Sequence, residues 1–191
     1  MPAGRPRQFD PEDVLDRAVD LIWKDGPFSH SLNEMAAELR LTKPALARMF
    51  GGKDDFLAKS LERYYDRVFV PLQVELAAAE TPMDVARSYL GYYSNALGHK
   101  PVGPHTGCLL AATTEATAGT EGTVPEMTQK LNARMRGLLE ETLERVGSEA
   151  PNEVAMFLYG QGIALAFLSR AGATGEVLGA FRDKALKALS A

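Results

Sequence analysis

The chain carries a single cysteine, Cys108, among 191 residues. A lone thiol cannot close an intramolecular disulfide, so the fold must rest on buried apolar surface, and the chain suits a reducing compartment. The three histidines, at positions 30, 99 and 105, show no metal-ligand spacing, and phosphate-loop and dinucleotide glycine patterns are missing. No apolar run approaches the roughly 18 residues that cross a bilayer. The opening residues Met1-Pro2-Ala3-Gly4-Arg5-Pro6-Arg7 are basic and lack the apolar stretch of a secretory signal. These absences predict a cytoplasmic protein with no membrane partner, no metal and no cofactor. A net charge of -4 excludes a packager that is basic all over, so any contact with DNA must be local.

What is present is helix. At 46% hydrophobic and 24% charged the chain can bury a real core, and its apolar residues recur at spacings of three and four with no alternating run to mark a strand. An all-α architecture follows. The first helix starts at the cap Asp10 and Pro11, buries Val14, Leu15, Ala18, Leu21 and Ile22, and ends at Gly26-Pro27. Its carboxylates Asp13, Asp16, Asp20 and Asp25 read as a solvated face. A second helix opens with the capping box Ser31-Leu32-Asn33-Glu34 and turns Leu32, Met35, Ala36 and Leu39 inward. A third runs from Thr42, with Pro44 tolerated in its first turn, to Phe50-Gly51-Gly52.

A long fourth helix follows Lys53-Asp54-Asp55, with a kink where Pro71 removes a backbone bond. Later helices are expected to about His99, from His105 to Ala118, from Pro125 to Val146, from Pro151 to Arg170 and from Thr174 to Ser190, separated by breaker-rich loops. Two domains result: residues 1–53, with three helices, and residues 54–191, with six.

Two short helices across a tight turn, packed on a longer one, form a helix-turn-helix, whose second helix fits a DNA major groove. Four stretches sharpen this reading: Gly4-Arg5-Pro6-Arg7-Gln8-Phe9-Asp10, Ser31 to Leu39, Leu41 to Leu46, and Phe50-Gly51-Gly52-Lys53. They closely resemble the tetracycline-repressor (TetR) family of bacterial regulators, strongly over about the first third of the chain and more loosely beyond it. The resemblance implies an N-terminal three-helix DNA-binding domain and a C-terminal six-helix domain for ligand binding and dimerisation. It also implies a homodimer on a palindromic double-stranded operator, a repressor released by a small-molecule effector.

Carried over by position, Ser31 holds a phosphate as well as capping its helix; Thr42, Lys43, Pro44 and Ala45 face DNA; Lys53 contacts backbone phosphate; and Arg5 and Arg7 form an arm for the minor groove. Three positions depart from the family pattern. Ala47 stands where an aromatic is usual, Met49 where tyrosine or histidine is usual, and Arg40 at a turn position commonly filled by glycine. Arg48 is expected to take over some phosphate binding.

The effector pocket is expected among Tyr65, Phe69, Tyr89, Tyr92, Tyr93, Cys108, Glu115, Met127 and Phe157, with His99, His105 and Thr114 as further polar candidates. Gly107-Cys108-Leu109-Leu110 resembles a stretch that starts the sixth helix in one branch of the family, where that helix transmits the signal. Small residues on the eighth helix and apolar ones on the ninth predict a four-helix interface between two chains, with Gly160, Ile163, Ala164, Phe167, Leu178 and Phe181 in it. Two readings compete with a regulator. One is an enzyme built on Cys108 and a nearby histidine, which lacks an orienting third group, so no enzymatic activity is expected. The other is a helical ligand-binding or interaction protein with weakened DNA recognition, which Ala47 and Met49 favour.

Overall fold

A computed structural model of the chain describes residues 9–98 and 107–189. Arg5, Arg7, His99 and His105 lie outside them. The described residues form nine helices and no strand: α1 (Pro11–Asp25), α2 (Leu32–Glu38), α3 (Lys43–Phe50), α4 (Lys53–Ala77), α5 (Pro82–Gly98), α6 (Leu109–Ala116), α7 (Thr123–Arg145), α8 (Pro151–Arg170) and α9 (Gly175–Ala188). The all-α expectation is met.

The helix starts follow the capping chemistry of the sequence. Asp10 accepts from the Glu12 N–H at 3.0 Å. Ser31 and Glu34 exchange both bonds of a capping box, at 2.7 and 3.3 Å. Each satisfies helix N–H groups that have no partner within the helix. The sixth helix departs from expectation. It begins at Leu109 rather than His105, because Gly107 holds φ 78° and Cys108 is extended. Helix α4 remains one helix through the exposed Pro71.

Helices α1 to α3 form a head. Helix α4 starts in that head and runs on into a body where it packs on α5 and α7, while α8 packs on α5, α7 and α9. One apolar core runs through both parts, from Val14 and Leu46 in the head through Leu61 and Leu72 of α4 to Leu139 and Leu165 in the body. The inward face of α1 is Val14, Ala18, Val19, Ile22 and Trp23, with Leu15 and Leu21 only half-buried. The buried stripe is therefore turned toward Val19 and Trp23 compared with the sequence reading.

Two of the α1 carboxylates expected in solvent are paired with α4. Arg63 grips Asp16 with both prongs, Nε to Oδ1 at 2.8 Å and Nη2 to Oδ2 at 2.7 Å, and Arg67 reaches Asp20 at 2.6 Å. Asp25 accepts from His30 at 2.9 Å. The reading of a wholly solvated face is therefore corrected: only a facing helix distant in sequence reveals the partners.

Candidate functional site

The turn between α2 and α3 is built on Arg40, at φ 57° the one non-glycine residue with positive φ among those described. That left-handed conformation costs a side chain roughly 1–2 kcal/mol. The turn holds because Leu39 and Leu41 are buried on either side, and the Arg40 and Leu41 N–H groups donate to Ala37 and Ala36 at 3.0 and 2.8 Å. Tolerance of arginine at this position is what the structure displays.

Helix α3 anchors itself through Leu46 and Phe50, both buried. That leaves Thr42, Lys43, Pro44 and Arg48 exposed on its outer side, while Ala45, Ala47 and Met49 are half-buried. The Thr42 hydroxyl oxygen also accepts from the Ala45 N–H at 3.3 Å, so this residue starts the helix as well as facing out. Ser31 is exposed; its oxygen is engaged as a cap and its hydroxyl proton remains a donor. Lys53 opens α4, its ammonium 6.0 Å from the centre of the exposed Phe28 ring. Arg40, Lys43 and Arg48 are exposed and Lys53 half-buried, so the turn, α3 and the start of α4 carry cations on a chain that is negative as a whole.

Head and body meet at a corner that the sequence reading did not identify. The buried indole of Trp23 donates to the Gly107 carbonyl at 3.1 Å and packs edge-on against Tyr64, with ring centres 4.9 Å apart. Tyr64 in turn donates to the Cys108 sulfur at 3.3 Å and accepts from the Leu109 N–H at 3.2 Å. One short segment before α6 is therefore tied to α1 by Trp23 and to α4 by Tyr64. The signal in the sequence was the lone tryptophan beside the apolar stripe of α1; its partner 84 residues away was not legible. Burial pushes the Cys108 thiol up, against a smaller opposing effect of the Tyr64 hydrogen bond.

Between α6 and α8 lies a cavity of about 310 Å³, lined by Cys108, Ala112, Thr114, Ile163 and Phe167, with the exposed Glu115 and Arg170 beside it. Cys108, Ala111, Ile163 and Ala166 separate it from an inner cleft of about 10 Å³, which Phe69, Tyr93, Asn132 and Tyr159 also line. Of the residues expected around an effector, Phe69, Tyr93, Cys108 and Glu115 line one or both spaces. Tyr65, Tyr89, Tyr92, Met127 and Phe157 line neither. The Tyr65 ring is covered by the Arg134 guanidinium at 4.5 Å, the Tyr92 hydroxyl donates to the Val68 carbonyl, and Met127 and Phe157 pack on the core. Tyr89 is fully buried against Gly162, where an added Cβ would stand 2.6 Å from its hydroxyl oxygen.

The outer face of α8 and α9 exposes Met156, Gly160, Phe167 and Val177. Ile163, Ala164 and Phe181 are half-buried there, and Ile163 and Phe167 also line the α6/α8 cavity. Leu178, expected at a dimer interface, is fully buried in the chain's own core and presents no surface to a second chain. Gly162 likewise faces inward, toward Tyr89. Helical periodicity marks a residue as buried without saying in which chain.

No family model matches the chain. The transcriptional repressor ComR of Escherichia coli is 30% identical over 83 residues, which is 44% of this chain and 40% of ComR, so the match spans less than half of that relative. Among solved structures, a cysteine mutant of the TetR family transcriptional regulator CifR, complexed with double-strand operator DNA, superposes with a TM-score of 0.81 at 23% identity, covering 96% of this chain and 99% of that one. A TetR regulator from Chloroflexus aurantiacus gives 0.80 at 15% identity over 94% and 93% of the two chains. The reduced form of NemR from Escherichia coli gives 0.74 at 20% identity over 93% and 95%. The chain has the fold of TetR-family transcriptional regulators.

Proposed function

We propose that the chain is a ligand-responsive DNA-binding transcriptional regulator, a repressor that holds a palindromic operator as a homodimer and leaves it when a small molecule binds. The observation that carries this reading is the geometry of α3. Its inner face is locked by Leu46 and Phe50, and its outer face presents Thr42, Lys43, Pro44 and Arg48. A short helix held rigidly and displayed on one side can enter a major groove. The likeness to ComR and the operator complex of CifR, on a shared fold, support it.

The head, residues 1–53, reads the operator: Lys43, Pro44 and Ala45 face bases, while Ser31, Arg48, Lys53 and the Arg5/Arg7 arm hold phosphates. The body, residues 54–191, binds the effector and pairs two chains through α8 and α9, so that two heads meet two half-sites. Catalysis is not part of this reading. Burial pushes the Cys108 thiol up, Tyr64 donates to its sulfur, and His30 is hydrogen-bonded to Asp25. Burial thus disfavours the thiolate that nucleophilic attack requires.

The test is binding to random-sequence DNA and to a selected operator as salt is varied. Affinity should fall steeply with salt, and Lys53→Ala should weaken all sequences about equally while lowering the salt slope by about one. Lys43→Ala should instead change sequence preference. Thr42→Ala is a poorer probe than sequence alone suggests, because it also removes the cap on Ala45. Absence of DNA binding at low salt would overturn the proposal in favour of a ligand-binding protein with weakened recognition. The half-buried Ala47 and Met49, which bring no phosphate contact, are the residues that favour that alternative.

A further inference from the structure

The geometry points to the α6/α8 cavity as the effector site, to a compact apolar molecule with no polar group at its inner end as its ligand, and to the Trp23–Gly107 hydrogen bond as the contact through which occupancy reaches the head. The first argument is satisfaction of the walls. Thr114 donates to the Leu110 carbonyl and accepts from Asn132, both at 2.8 Å; Asn132 accepts from Tyr159 at 2.8 Å; and Cys108 accepts from Tyr64. A polar group pushed inward would have to compete with these bonds, and an unmet buried polar group costs about 1–3 kcal/mol. A hydrocarbon interior end avoids that competition. At the mouth, Glu115 and Arg170 are exposed and unpaired among the described residues, so a hydroxyl or similar group can be met there.

Size follows from volume. A cavity of roughly 150 Å³ accommodates benzene, so about 310 Å³ suits a body of roughly a dozen heavy atoms. A ligand that reached further inward would have to displace Cys108 and Ala111, which wall off the inner cleft.

The second argument is the corner. A Cβ on Gly107 would stand 3.2 Å from both the Ala166 carbonyl oxygen and Arg170 Cβ, so the Gly107–Cys108 segment lies directly on the end of α8 that walls the cavity. A molecule seated between α6 and α8 bears on Cys108 and Ala166, and we take the state it favours to be the one in which this segment stands farther from α8. The Trp23 indole, fixed in the head and 3.1 Å from the Gly107 carbonyl, then loses its acceptor. Only the last link, release of DNA, rests on the regulator reading.

Trp23 is the chain's one tryptophan, which makes the latch its own reporter. Borneol, a non-absorbing bicyclic alcohol of about the right size, should bind the full-length protein saturably and shift Trp23 emission, whereas inositol, of similar size but polar all round, should not. Ala112→Phe, which fills the outer cavity, should weaken borneol by about tenfold or more. Trp23→Phe should keep borneol binding by calorimetry yet lose the borneol effect on DNA affinity. Borneol binding that leaves Trp23 emission unchanged, or that survives Ala112→Phe undiminished, overturns the inference; so does failure of borneol to bind at all. Absence of DNA binding by the unliganded protein, with the emission shift intact, would overturn the regulator reading and leave the site and latch standing.

Discussion

Gly162 sits in the middle of α8 with a Tyr89 hydroxyl where its side chain would be. The tyrosine is fully buried, so its ring has no free space to retreat into, and close packing resists even one added methyl. Gly162→Ala should therefore destabilise the fold by about 1–3 kcal/mol, despite alanine's better helix propensity, and denaturant melts of the two proteins would show it. An alanine variant as stable as the parent would mean that the Tyr89 ring moves freely. Gly160, two residues away, meets nothing within 4 Å of an added Cβ. One glycine is thus required by close approach and the other is not, although the sequence shows the same residue in the same helix.

At the level of elements, the head is held to α4 by ion pairs as well as by the core. The Asp16 carboxyl is held below the usual carboxylate range, chiefly by the hydrogen bond from Arg63, which outweighs the opposing effect of burial, with the charges of Arg63 and Arg67 adding to it. Its folded pKa lies below the unfolded one. The pair's contribution is therefore fully present above the unfolded value and is lost as pH falls through the folded one, that is, below about pH 4. Both partners are partly exposed, so solvent limits the effect to about 1 kcal/mol or less. Melting temperatures of the wild type and Asp16→Asn should differ at neutral pH and converge in acid; a gap independent of pH would disprove a charge origin. At the opposite end of α4, Arg145 of α7 donates to the Leu76 and Ala79 carbonyls at 2.9 and 3.1 Å, closing a helix end that lacks a glycine cap.

For the molecule as a whole, the decisive surface is the outer side of α8 and α9. Gly160 lies on it, exposed, and its substitution meets no atom of its own chain. Gly160→Glu should leave the single chain folded, or stabilise it by about 0.5–1 kcal/mol by removing a mid-helix glycine. In the proposed dimer the same change buries a charge against its own copy. Light scattering should then report a monomer, and operator affinity should collapse because one head reads one half-site. A variant that remains dimeric would place the interface elsewhere.

The three-and-four spacing of apolar residues and the capping chemistry of Asp10 and Ser31 determined, without the fold, that the chain is helical and where its first two helices start. These are local effects, set by residues within a turn of one another. The outward display of Lys43, Pro44 and Arg48 was legible for the same reason, since a short helix with two buried anchors has only one other side. What the tertiary structure alone decided is everything that depends on a distant partner. Asp16 and Asp20 turned from solvent to Arg63 and Arg67; Leu178 turned from an interface to the core; Cys108 became the corner joined to Tyr64; and Trp23 found the Gly107 carbonyl. Such contacts join residues 44 to 84 positions apart, and periodicity, which repeats every few residues, carries no information at that range.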